Sequence, residues 1–103
     1  MLIFIKGKYL PLIASGQKTT TIRPWRHCRL VAGGSLSFNG RLRVTLTRVE
    51  QRRLCELTDD DAIADGFISR RSFVRVFRAH YGAVTPSSSV WILHFTNPQS
   101  VRA

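Results

Sequence analysis

Two hydrophobic periodicities divide this chain into a mixture of strands and helices. Leu2 to Ile5 is a short apolar run that predicts a buried strand, and Lys8 to Ser15 gives one or two helical turns carrying Tyr9, Leu12 and Ile13 inward. Pro11 suits such a helix only near its start, and Gly16 is a natural stop. An extended segment follows, ending near Pro24. Its alternation puts Thr19, Thr21 and Arg23 on one side and Thr20 and Ile22 on the other. Ser35–Asn39 and Arg41–Val49 read as a hairpin around Asn39-Gly40, a dipeptide favoured by the tight type I′ turn. Leu36, Phe38, Leu42, Val44 and Leu46 fall on its buried side, with Arg41, Arg43 and Thr45 outside.

Two helices come next, each with a start signal. Thr58 followed by Asp61 is a variant capping box, and Leu57 precedes the cap as a staple residue, so a helix begins at Asp59. Asp59, Asp60 and Asp61 then sit where the positive end of the helix dipole favours them. Asp65 falls at the other end, where a carboxylate gains nothing from the dipole, so something else should hold it there. Gly66 ends that helix and Phe67 returns to the core. Ser69 caps a longer helix through about His80, with Phe73, Val76, Phe77, His80 and Tyr81 on its apolar face and Arg71, Arg75 and Arg78 opposite. Val90 to Thr96 is an uninterrupted apolar strand and should be central, and from Asn97 onward a frayed tail is expected. Residues 1–97 thus read as a single α+β domain and 98–103 as a C-terminal tail.

The chain has 103 residues, 44% of them hydrophobic, which supports one modest core and not two. The opening apolar run is too short for a secretory signal or a membrane span, so the expected location is the cytoplasm, with no membrane partner. Cys28 and Cys55 show no CxxC or CxxxC spacing and read as reduced, packing thiols. A zinc site built from His27, Cys28, Cys55 and a further histidine is disfavoured, and no metal or cofactor is expected. The net charge of +10, carried mainly by arginine, attracts polyanions, and arginine's planar fork suits phosphates and stacks on bases. The cationic, hydroxyl-bearing segment Gly16–Trp25 has its natural counterpart in Leu57–Phe67, which holds four of the six acidic residues.

These features fall in a recognisable order. Gly16, Lys18, Thr19, Thr21, Arg23 and Trp25 give G-x-K-T-x-T-x-R-x-W. Leu57, Thr58, Ala62, Asp65, Gly66 and Phe67 give L-T-x-x-x-A-x-x-[DE]-G-F, and a helix ending near Tyr81 and an apolar closing strand follow. In this order and spacing, over nearly its whole length, the chain resembles the ASCH domain, related in fold to PUA domains. The resemblance implies a small β-barrel of five to six strands with helices packed around it and a cleft that takes RNA or nucleobases. Within that family the chain is similar to small amidohydrolases that remove the acetyl group of N4-acetylcytidine with a threonine, a lysine and a glutamate. By motif position these correspond to Thr21, Lys18 and Asp65.

The chemistry is physically reasonable. A threonine hydroxyl needs a nearby base, which a lysine supplies when burial and cationic neighbours lower its pKa. Arg23 is such a neighbour and also supports a developing oxyanion. The acid orients the pair or returns a proton to the leaving amine. Asp65 is one methylene shorter than the family's glutamate. Arg23, Trp25, Thr19 and Arg26 are the candidate substrate-binding residues, and a second reading is a non-catalytic RNA or nucleotide-binding module, in which Lys18, Arg23, Arg26 and the Arg71, Arg75, Arg78 stripe hold phosphates and Trp25 stacks on a base. A metal-independent ribonuclease is a third, and a purely structural Lys18–Asp65 salt bridge is a fourth. His27, His80 and His94 are scattered; His80 and His94 sit in apolar patterns and read as core histidines, with His94 lining the cleft if its strand face does. A monomer is the expected state.

Overall fold

A computed structural model describes residues 1–101, and its sheet is organised around the apolar run that begins at Val90. The elements are β1 (Leu2–Ile3), a 3-10 turn (Gly7–Tyr9), α1 (Leu10–Ser15), β2 (Thr20–Arg23), β3 (Ser35–Phe38) and β4 (Leu42–Arg53), followed by a second 3-10 turn (Leu54–Glu56), α2 (Asp59–Ala64), α3 (Arg70–Tyr81) and β5 (Ser89–Ser100). The five strands run in the order β1-β3-β4-β5-β2, parallel only between β1 and β3. β5 is therefore interior, and both of its faces are covered between Val90 and Phe95, which is why Val90–Leu93 is continuously apolar instead of alternating.

Each face carries its own core. Leu93 and Phe95 join Ile3, Ile13, Leu36, Phe38, Leu42, Val44 and Leu46 under α1, while Val90 and Ile92 join Ile22, Leu54, Leu57, Ala62, Phe73 and Phe77 under α2 and α3. The hairpin takes the predicted form. Asn39 and Gly40 have φ of 55° and 67°, the Arg41 N–H donates to Phe38 O at 2.9 Å, and all five predicted inward residues are buried. The Asp59 helix start is also as read, since Thr58 accepts from the Asp61 N–H at 3.2 Å and Asp61 accepts from the Thr58 N–H at 2.8 Å.

Four expectations are corrected. The sheet is not closed into a barrel: β1 has only two residues and pairs with β3 alone, β2 pairs with β5 alone, and no ladder joins these two edges. The residues after β1 leave the ladder because the Asn39 side chain takes over both Ile5 backbone groups, at 2.8 and 2.9 Å. β5 does not stop at Thr96 but, after an irregularity at Asn97-Pro98, continues to Ser100, opposite Leu42, and Val101 N–H donates to Arg41 O at 2.9 Å, so Gln99 to Val101 are held against the hairpin and not frayed. Residues 102–103 of the expected tail lie outside the described residues. On α3 only Phe73 and Phe77 of the predicted apolar face are buried, and Val76, His80 and Tyr81 are exposed along its edge. Cys55 is likewise exposed, while Cys28 is half-buried. No helix among the described residues is long and apolar enough to cross a membrane.

Phe38 is fully buried and meets the Phe95 ring edge-on at 5.3 Å between centroids. Phe38→Ala should cost about 3–5 kcal/mol in urea denaturation, whereas Val31→Ala, at a site 67% exposed, should stay within about 0.5 kcal/mol. Equal effects would mean that the hairpin's inner face does not form the core.

Candidate functional site

Lys18 and Asp65 are brought together by backbone before side chains. α1 ends at Gly16 in the left-handed region, with φ of 84°, and the Lys18 N–H returns to Leu12 O at 2.9 Å. The next residue stitches two elements: the Thr19 N–H donates to Ala64 O at 2.8 Å, and Thr19 O accepts from the Phe95 N–H at 3.0 Å. The residue after Lys18 is thus fixed to the residue before Asp65. Asp65 is the C-cap of α2, and Gly66, with φ of 98°, makes the turn that brings Phe67 back; a side chain there would be strained.

Lys18 Nζ donates to Asp65 Oδ1 and to Asp65 O, both at 2.7 Å. The two residues are 4% and 5% exposed, and Thr21 is 3% exposed. The ammonium also lies 5.5 Å from the centroid of the Tyr9 ring, a cation–π contact. Thr21 Oγ1 accepts from Arg23 Nε at 3.1 Å, and Arg23 Nη2 reaches Phe4 O at 3.4 Å. This answers what holds a carboxylate at the unfavourable end of α2: a buried lysine forty-odd residues earlier in the chain.

Lys18, Thr21, Arg23 and Asp65 line one cavity of about 760 Å³. Phe4 and Ile5 line it from one sheet edge and Thr21 to Arg23 from the other, so it occupies the seam that barrel closure would have filled. Tyr9, Phe67 and the Val76, Phe77 and Tyr81 side of α3 complete apolar walls around a polar floor, the form expected of a small-molecule site. Burial pushes the Lys18 ammonium below its ordinary range, helped by the nearby Arg23 charge and opposed by Asp65. Burial likewise pushes the Asp65 carboxyl up to about 6, against the pull of Lys18, Arg23 and the Ile22 backbone N–H. The Tyr9 hydroxyl is raised by burial and by the Asp65 charge. Burial thus drives both partners of the pair toward their neutral forms.

The other residues singled out in the sequence are dispersed. Thr19 precedes β2, is exposed, and does not share the cavity with Thr21 and Arg23. Trp25 is half-buried against the core under α1, and Arg26 is exposed; neither lines the cavity. Arg71, Arg75 and Arg78 are all exposed on α3, and of the three only Arg75 lines it. His94 is turned away, bonded to Glu50 Oε2 at 2.6 Å. His80 lines the cavity from an exposed position and is not the core histidine its helical spacing implied. Sequence reasoning missed the walls: Phe4 looked like strand filler and Tyr9 like core, and only the unzipped edge after β1 gives them a site.

No protein-family model and no curated protein matches the chain. Solved structures do. The hypothetical protein PH0355 aligns with a TM-score of 0.79 at 20% identity over 95% of this chain and 97% of its own. The ASCH protein of Zymomonas mobilis aligns at 0.72 and 14% identity over 98% and 69%. The ASCH domain of Lactobacillus crispatus JV V101 aligns at 0.68 and 16% over 88% and 69%. The chain therefore has the ASCH-domain fold.

Removing the carboxylate should expose the linkage between this pair and stability. Asp65→Asn leaves a buried ammonium without its counter-charge, a loss of about 3–5 kcal/mol near neutral pH. Without Asp65 the folded-state pKa of Lys18 falls further below the unfolded 10.5, so between these two values the unfolded chain binds more protons and stability rises with pH. Urea melts of the variant and the parent from pH 6 to about 10 should show the deficit shrinking as pH rises; a deficit independent of pH would contradict a charged Lys18 buried beside Asp65.

Proposed function

We propose that this chain is an ASCH-family amidohydrolase that removes the acyl group from the N4 amine of an acylated cytidine. The observation that supports it best is the buried Lys18–Asp65 contact on the floor of a cavity of about 760 Å³ that Thr21 also lines. In this reading Thr21 Oγ attacks the amide carbonyl carbon while Lys18, in the neutral form that its burial favours, takes the hydroxyl proton. The Arg23 guanidinium, already donating to Thr21 Oγ1, stabilises negative charge there and on the carbonyl oxygen as the tetrahedral species forms. The carbon–nitrogen bond breaks, the proton held by Lys18 passes to the leaving N4, and cytidine departs. Water then hydrolyses the Thr21 ester to release the carboxylic acid and restore the hydroxyl. Asp65, with a carboxyl poised near 6, orients Lys18 and shares its proton.

The same residues support a second reading, non-catalytic binding of RNA or a nucleotide, because Arg75 of the α3 arginine stripe turns into the cavity. Affinity without turnover distinguishes it.

Incubation with N4-acetylcytidine should release cytidine. Thr21→Val, close to isosteric in a buried strand, and Lys18→Ala should each lower kcat by about 10²- to 10⁴-fold. The rate of the parent protein should rise with pH as Lys18 loses its proton, since the neutral amine is the base. Intact substrate beside a well-folded protein would remove the amidohydrolase reading.

A further inference from the structure

The cavity's charge is unbalanced in a way that deacylation of a neutral nucleoside does not use. Lys6, Lys18, Arg23 and Arg75 line it against one carboxylate, Asp65. Asp65 is engaged by Lys18, and among the described residues Lys6, Arg23 and Arg75 form no salt bridge. The chain's other acids are engaged elsewhere or lie in the first turn of α2. Glu50 serves Arg48, Arg52 and His94, Asp61 serves Arg52 and the α2 cap, Glu56 caps the Arg53 N–H, and Asp59 accepts from the Arg70 N–H. Lys6 and Arg75 are thus left for an anion that comes with the ligand, since Lys18 is held by Asp65 and Arg23 donates to Thr21 Oγ1.

Their placement within the cavity is also uneven. Lys18 and Arg23 belong to the floor with Thr21, whereas Lys6, between β1 and the first 3-10 turn, and Arg75, on α3, are exposed side chains from two different walls. A ligand whose acylated base reaches Thr21 carries its sugar outward, toward that exposed level. Phosphate is the anion attached there in a nucleotide, and paired Lys and Arg donors suit a phosphate monoester.

We infer that the site takes a phosphorylated substrate, an N4-acylcytidine 5′-monophosphate, with Lys6 and Arg75 holding the phosphate. This rests on the amidohydrolase reading for its chemistry, while the binding preference stands apart from turnover. The phosphate is unchanged by the reaction, which yields cytidine 5′-monophosphate and the carboxylic acid. A cavity of about 760 Å³ has room for one nucleotide, and the inference is for the free mononucleotide over the same residue within a polymer.

The test compares kcat/KM for N4-acetylcytidine, its 5′-monophosphate and a short RNA carrying one internal N4-acetylcytidine. The monophosphate should be favoured over the nucleoside by about tenfold or more at about 0.01 M ionic strength, and the ratio should shrink toward 0.15 M as the screening length falls from about 30 to 8 Å. In the Lys6→Ala, Arg75→Ala double variant the ratio should approach one. Equal rates for nucleoside and monophosphate would overturn the inference and leave the amidohydrolase reading standing, and preference for the RNA would assign the cations to a polymer and overturn it too. If no substrate is turned over, calorimetric titration with cytidine and cytidine 5′-monophosphate still decides: tighter binding of the monophosphate, lost in the double variant, supports the phosphate site, and equal binding removes it.

Discussion

The contact between the Lys18 ammonium and Asp65 is the constraint around which the rest of this small protein is arranged. Taking either charge out of water alone costs several kcal/mol, so neither residue is tolerated at 5% exposure or less without the other. The pair joins the two halves of the molecule. Lys18 follows α1, which covers one face of the sheet, and Asp65 ends α2, which covers the other. Between them the Thr19 backbone is bonded to α2 on one side and to β5 on the other. Two separate apolar cores meet at a polar joint, and that joint is where the chemistry-bearing groups collect.

The open sheet explains why the joint is reachable. A closed barrel would have zipped the segment after β1 against β2 and buried the Thr21 hydroxyl beneath a ladder. Instead Asn39 satisfies the backbone of Ile5, and the seam between the two edges is lined by Phe4, Tyr9, Phe67 and the edge of α3. These walls are apolar and leave the floor open to the cavity. Burial of the pair moves the Lys18 and Asp65 ionisations toward each other, because a low-dielectric surround penalises both charged forms at once. Fold, access and pKa shift have one origin here, an edge left unpaired.

Much of this was legible in the chain. Asn39-Gly40, the Thr58–Asp61 capping box and the Ser69 cap fixed local geometry strongly enough that the hairpin and both helix starts follow from them. Asp65 stood out for a physical reason, a carboxylate at the wrong end of a helix dipole, and its partner was found. Long-range features were less accessible. Where β1 stops depends on Asn39, far away in sequence, taking over the Ile5 backbone, and no local periodicity encodes that. β5 runs to Ser100 because β4 offers Leu42 and Arg43 to pair with, although Asn97-Pro98 looks like a breaker. Arg71, Arg75 and Arg78 share a helix side, yet only Arg75 lines the cavity, a distinction that depends on where α3 packs and not on its own sequence. Thr19 was grouped with Thr21 by alternation, which fails because the strand begins one residue later.

The shorter acid at position 65 is compatible with the proposed chemistry because of where the lysine ends. Lys18 Nζ touches the Asp65 backbone carbonyl and the Asp65 carboxylate at the same 2.7 Å, so the ammonium is pressed against the end of α2 itself. One methylene is enough to bring a carboxylate to that nitrogen. A glutamate would have to fold back to make the same contact, or else extend further into the cavity. With aspartate the carboxylate is kept at the wall, 5% exposed, and bound to Lys18. On this geometry Asp65 sits behind Lys18, so in the proposed reaction it is a residue that positions the lysine and not one that meets the substrate.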